Sequence, residues 1–148
     1  MKARYIAAIV IGSGLSVWAL VSCNLNAVSI GQRISDFQSD LNTSDRSNVY
    51  NDFHPTETQD YNALKDPVTS SFNTNFPPPT TTNYTLSVVS DSNTSAVIVA
   101  VNSGPTGVFG APPYYLSLRM DTYNNNDWRI VTLSASTNQN GPYTQVYQ

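Results

Sequence analysis

The sequence predicts an α+β protein, helices first and then a run of antiparallel strands. Ile30, Ile34, Phe37 and Leu41 recur at the spacing of one helix face. From Tyr84 onward the apolar residues instead recur with period two or fill short uninterrupted runs. Between the halves stands Pro77-Pro78-Pro79, whose fixed φ angles hold the chain extended.

The chain has 148 residues, and its first 22 read as a secretory leader. Lys2 and Arg4 supply a positive start, and Tyr5 to Val21 is mostly apolar and uncharged. Gly12, Ser13, Gly14 and Ser16 interrupt that run, and about 20 apolar residues are needed to cross a bilayer, so a permanent membrane helix is the weaker reading. Residues 23–27 then form a short tether, 28–135 the domain, and 136–148 a polar tail expected to fray, although Tyr143, Val146 and Tyr147 offer groups that can dock.

Helix 1 is expected over 28–41, with Gln32, Arg33, Asp36 and Asp40 on its wet side. Asn42-Thr43-Ser44-Asp45 breaks it and offers capping oxygens to a second helix at 45–53. His54-Pro55 ends that helix, because the residue before proline avoids the helical region. Tyr61, Leu64, Val68 and Phe72 keep helical spacing but are cut by Pro67, which predicts one short helix at 57–65 and a helical turn beyond.

Strands are expected over 84–88, 96–101, 114–121 and 128–135. Ala96 to Val101 is apolar on both faces and reads as a central strand. Tyr114, Leu116, Leu118 and Met120 fall on one face of the third strand, with Tyr115, Ser117 and Arg119 on the other. Asp91 to Thr94 and Asn124 to Asp127 are turn sequences.

Leu20-Val21-Ser22-Cys23 resembles the lipobox of bacterial lipoproteins: an aliphatic residue three before the cysteine and a small residue just before it. The resemblance implies cleavage between Ser22 and Cys23 and attachment of diacylglycerol to the Cys23 sulfur, so that the lipid bilayer becomes a partner. Each buried methylene is worth roughly 0.8 kcal/mol and one chain anchors only marginally, so two or three chains hold firmly. Cys23 is the sole cysteine, which leaves the folded part without a thiol. Residue 24 is Asn and not Asp, which by the same resemblance favours the outer membrane in a two-membrane envelope.

The first helix with Phe37 and Leu41, the short helix ending in Phe53-His54-Pro55, and the closing Asp127-Trp128-Arg129-Ile130 are similar to the NTF2-like superfamily. That resemblance spans about 28–135. It implies a cone in which helices pack on the concave face of a curved antiparallel sheet and leave a pocket at the open end. The Pro- and Asn-rich stretch 66–82 departs from the pattern. A lipid-anchored β-sandwich with an N-terminal helix is the alternative.

Beyond the leader, five Lys or Arg face ten Asp or Glu, giving a net charge of −5. That balance excludes a nucleic-acid binder working through an electrostatic footprint. One Cys and one His exclude a disulfide scaffold and any metal site built from several of either, and no cofactor is expected. Asn, Ser and Thr account for 46 of these 126 residues, but the apolar residues cluster, so a folded domain is expected.

His54, with Asp52 and Glu57 near it, is a candidate base oriented by a carboxylate, although a helix-end residue capping carbonyls beside Pro55 is the stronger reading. Tyr115 and Arg119 are candidates to line a pocket, Arg119 holding a carboxylate; on a solvent face Arg119 would merely pair with an acid. Trp128 is a candidate stacking residue or a core residue. Enzymes of the resembled superfamily, such as ketosteroid isomerases and scytalone dehydratase-like proteins, use an Asp or a His–Asp pair in the cone, whereas the only strand carboxylate expected here is Asp121. There is no Gly-rich phosphate loop and no Gly-x-Ser-x-Gly. The expectation is therefore a lipid-anchored binding module for a small ligand or another envelope protein. A small isomerase or dehydratase using His54 and a carboxylate is one alternative, and a structural surface component is another.

Overall fold

The computed structural model describes residues 5–11, 15–21, 28–43, 46–66, 71–92, 96–124 and 126–148. Ser22 and Cys23, the expected cleavage and lipidation positions, lie outside them. The apolar N-terminal segment forms two strands, β1 (Tyr5–Ile11) and β2 (Leu15–Val21), paired antiparallel with Tyr5 opposite Val21.

Helix α1 (Ile30–Asn42) begins where Ser29 Oγ accepts the Gln32 N–H at 3.1 Å, satisfying one amide that a helix start leaves unpaired. Ile34, Phe37 and Leu41 are buried and Ile30 is half-buried, as their spacing requires. Arg33 is buried too, at 6 % exposure, where the sequence reading placed it in water. It stands three residues after Ile30 and four before Phe37, which puts it on the inward face.

The expected second helix contracts to a 3₁₀ turn at Val49–Asp52. Arg46 explains the shortening. Its backbone is left-handed (φ 53°) and its guanidinium turns inward, 1 % exposed. Arg46 Nη2 donates to the carbonyls of Leu41 (2.9 Å) and Pro77 (2.8 Å), and Nη1 donates to the Phe76 carbonyl. A cation is thus fixed on the Leu41 carbonyl at the C-terminal end of α1, where the helix dipole favours it. The helices expected around Pro67 are the single turns α2 (Tyr61–Leu64) and α3 (Phe72–Asn75).

Five strands follow in one antiparallel sheet, in the order β3-β4-β5-β6-β7: β3 (Thr85–Ser92), β4 (Ala96–Ser103), β5 (Tyr114–Tyr123), β6 (Asp127–Ser136) and β7 (Thr144–Tyr147). Asn124 and Asn126, in the β5–β6 turn, take positive φ, which asparagine tolerates better than most residues. The tail expected to fray supplies β7, because Tyr147 is almost fully buried and docks the strand on β6. Edge strand β3 is covered at its start by two amides from α1. Asn42 accepts the Tyr84 N–H (2.8 Å) and donates to the Tyr84 carbonyl (3.0 Å), while Gln38 Oε1 accepts the Leu86 N–H (2.6 Å).

The core lies between α1 with its short turns and one face of this sheet. Phe37 contacts Phe53 and Phe76 edge-on, with centroids 6.1 and 6.2 Å apart, and Phe72 lies 5.7 Å from Tyr147. Tyr114, Leu116, Leu118 and Met120 come from β5 and Ile130, Leu133 and Ala135 from β6, all buried. Aromatic rings therefore fill the space between helices and sheet.

Candidate functional site

Two polar clusters surround that core. The inner one centres on Arg33. Its Nη1 donates to Asp52 Oδ1 at 2.8 Å, its Nη2 to Asp127 Oδ1 at 2.7 Å, and its Nε to the Trp128 carbonyl at 2.9 Å. Arg129 reaches the other Asp127 oxygen at 2.6 Å and also donates to the Asn51 carbonyl. One guanidinium thus ties α1 to the 3₁₀ turn and to the start of β6. Burial pushes the Asp52 carboxyl up to about 7, outweighing the hydrogen bond and charge of Arg33 that act the other way. Burial alone would lower the Arg33 guanidinium, but its bonds to Asp52 and Asp127 hold it above its usual range.

The outer cluster is built on an irregularity in the sheet. Between Arg119 and Met120 the β5–β6 register slips, so Val131 becomes an extra residue. The His54 turn docks on that bulge. His54 N–H donates to the Ile130 carbonyl at 2.8 Å, and Thr58 Oγ1 lies 3.0 and 3.2 Å from the carbonyls of Ile130 and Val131. Within the turn, His54 Nδ1 accepts the Glu57 N–H at 3.1 Å. The ring is 4 % exposed and meets Tyr123 edge-on at 5.2 Å.

Glu57 then links two predicted site residues. Its carboxylate lies 3.8 Å from His54 Nε2 and 3.9 Å from Arg119 Nη1. Both are ion-pair distances, too long for hydrogen bonds. Arg119 alternates with buried Leu118 and Met120, so it stands on the sheet face turned away from α1. Asp121 and Tyr123 follow it on that face. The other two candidates stand apart. Tyr115, opposite Ser136, is at the far end of β5 from Tyr123. Trp128 is half-buried against the core, and its N–H donates to the Val28 carbonyl at 3.0 Å.

A separate groove of about 470 Å³ opens near the β6–β7 turn, lined by Val108, Phe109, Ser136, Asn138, Pro142 and Thr144 among others. None of His54, Tyr115, Arg119 or Trp128 lines it, and its polar groups are neutral hydroxyls and amides. Among the described residues no three His, Cys, Asp or Glu side chains are grouped to hold a metal ion. No described helix is long and apolar enough to cross a membrane.

Sequence reading missed the Arg33–Asp52–Asp127 cluster and the parts of Tyr123 and Arg129 in the outer one. The signal for Arg33 was present in its helical phase. Tyr123 and Arg129 carried none, since strand pairing brings Tyr123 to His54 and Arg129 onto the Tyr123 ring. The chain matches no family model, no curated protein and no solved structure.

Proposed function

We propose that this chain is a membrane-anchored lipoprotein of a bacterial cell envelope, held by acylated Cys23, whose domain is a non-catalytic binding module for a small ligand or another envelope protein. The observation that carries the reading is the placement of the only cysteine, at the end of an apolar leader in Leu20-Val21-Ser22-Cys23. Asn24 favours the outer membrane where the envelope has two.

An NTF2-like outline is supported by helical cover on one face of a five-stranded antiparallel sheet. Aromatic side chains occupy the space where that resemblance implies a pocket, which favours recognition by an outer surface. Binding is favoured over catalysis because His54 Nδ1 is engaged by the Glu57 amide and the ring is 4 % exposed. An isomerase or dehydratase would need that imidazole open to substrate.

Metabolic labelling with a fatty-acid analogue, followed by mass spectrometry of the mature protein, tests the reading. The expected result is a chain that begins at an acylated Cys23, with label lost in Cys23→Ser. An unmodified Cys23 still joined to residues 1–22 would overturn it.

A further inference from the structure

The described residues include five Lys or Arg. Arg33 and Arg46 are buried, so only Lys65, Arg119 and Arg129 reach the surface. These three fall in one continuous patch with three tyrosines. Lys65 Nζ lies over the Tyr61 ring at 4.9 Å, and the Arg129 guanidinium over Tyr123 at 5.7 Å. Tyr50 and Tyr61 meet edge-on at 5.8 Å, and Tyr61 is within electrostatic reach of Tyr123 and Arg129. Arg119 adjoins through exposed Glu57, whose carboxylate lies 3.9 Å from Arg119 Nη1 and 3.8 Å from the buried His54 ring that meets Tyr123. A domain of net negative charge thus holds its three surface cations near one another, interleaved with amphipathic rings and with two acids, Glu57 beside Arg119 and Asp127 on Arg129.

That place adjoins the point where the chain joins the domain. The Val28 carbonyl is bonded to the N–H of Trp128, the residue before Arg129. Four residues lie between Cys23 and Val28, a span of five Cα–Cα steps that reaches no more than roughly 18 Å at full extension. We infer that the surface formed by Tyr50, Tyr61, Tyr123, Lys65, Arg119 and Arg129 rests on the lipid headgroups of the membrane that holds Cys23. Tyrosine rings are at home at that depth, and the cations complement anionic phosphates. The inference rests on the lipoprotein reading and adds an orientation to it: the β5–β6 turn faces the bilayer.

With the leader removed, Trp128 is the only tryptophan and reports from beside the patch. The mature, acylated protein is inserted into vesicles of equal parts phosphatidylglycerol and phosphatidylcholine carrying a headgroup nitroxide, and Trp128 quenching is measured. Strong quenching is expected, weakened by high salt, with the docked-to-undocked ratio falling roughly twenty-fold or more in K65E/R119E. Both substituted side chains are exposed, and circular dichroism checks that the variant is folded. If acylated, vesicle-bound protein shows an unquenched Trp128, or if wild type and variant are quenched alike, the orientation is overturned and the anchor stands. If Cys23 carries no acyl group, both readings fall.

Discussion

Arg33 donates to one oxygen of Asp52 at 2.8 Å, while the other oxygen, Oδ2, is buried with no hydrogen-bond partner among the described residues. A carboxylate so placed is half satisfied. Its proton is therefore held well above the ordinary range, at about 7.

The sign of the resulting pH dependence follows from linkage. Unfolded, Asp52 releases its proton near 3.8; folded, near 7. Between those values the native state binds the extra proton. The stabilisation from this group is complete below about 3.8 and is lost as pH rises to about 7. Asp52→Asn keeps an acceptor for Arg33 and abolishes the titration. Urea unfolding across this window should show wild type losing up to about 4 kcal/mol relative to Asp52→Asn as pH rises. A difference that stays constant with pH would refute the assignment.

Removing Arg33 should be among the most damaging single changes. Arg33→Ala leaves Asp127 with Arg129 alone and Asp52 with no counter-charge in contact. Breaking a buried pair in this way costs about 3–5 kcal/mol, and the loss is read as a lower urea midpoint. Asp52 can respond by staying protonated, so the cost should be smaller in acid than at pH above 7.

Arg46 is held mainly by backbone carbonyls, with Asn73 Oδ1 at 3.4 Å and the rings of Phe72 and Tyr84 each 5.7 Å from its guanidinium, so its planar fork is central to the site. Arg46→Lys keeps the charge but cannot serve the carbonyls of Leu41, Phe76 and Pro77 together. Each buried carbonyl left unpaired costs about 1–3 kcal/mol, so the lysine variant should fall close to Arg46→Ala in thermal melts. A lysine variant as stable as wild type would show that charge, and not the fork, matters.

The last strand offers an internal contrast. Tyr147 is 3 % exposed and packs near Phe53 and Phe72, whereas Tyr143 bonds to the Gln139 carbonyl at the surface. Tyr147→Ala should cost about 3–5 kcal/mol and Tyr143→Ala within about 0.5–1 kcal/mol, measured side by side in urea.

Local pattern carried most of the fold. The stripe Ile34, Phe37, Leu41 gave α1, and the alternation from Tyr114 to Met120 gave the inward face of β5. What the chain does not show locally is long-range pairing. Val49 and Phe53 are spaced for a helix, yet Arg46 turns away to cap α1 and only a 3₁₀ turn remains. The tail looks polar, yet one tyrosine at its end repays the ordering of β7. The candidate site divides in the same way. His54 and Arg119 were legible as residue types, but their meeting at Glu57 depends on a register slip between β5 and β6. Such a slip has no signature in either strand alone.

The paired amide of Asn42 imitates a neighbouring strand, offering Tyr84 the donor and acceptor that another chain would bring. With Gln38 occupying the next amide, the opening stretch of β3 cannot zip onto a second molecule. Should Asn42 become leucine, that stretch would be bare, and concentrated solutions would be expected to form sheet-continued aggregates through it.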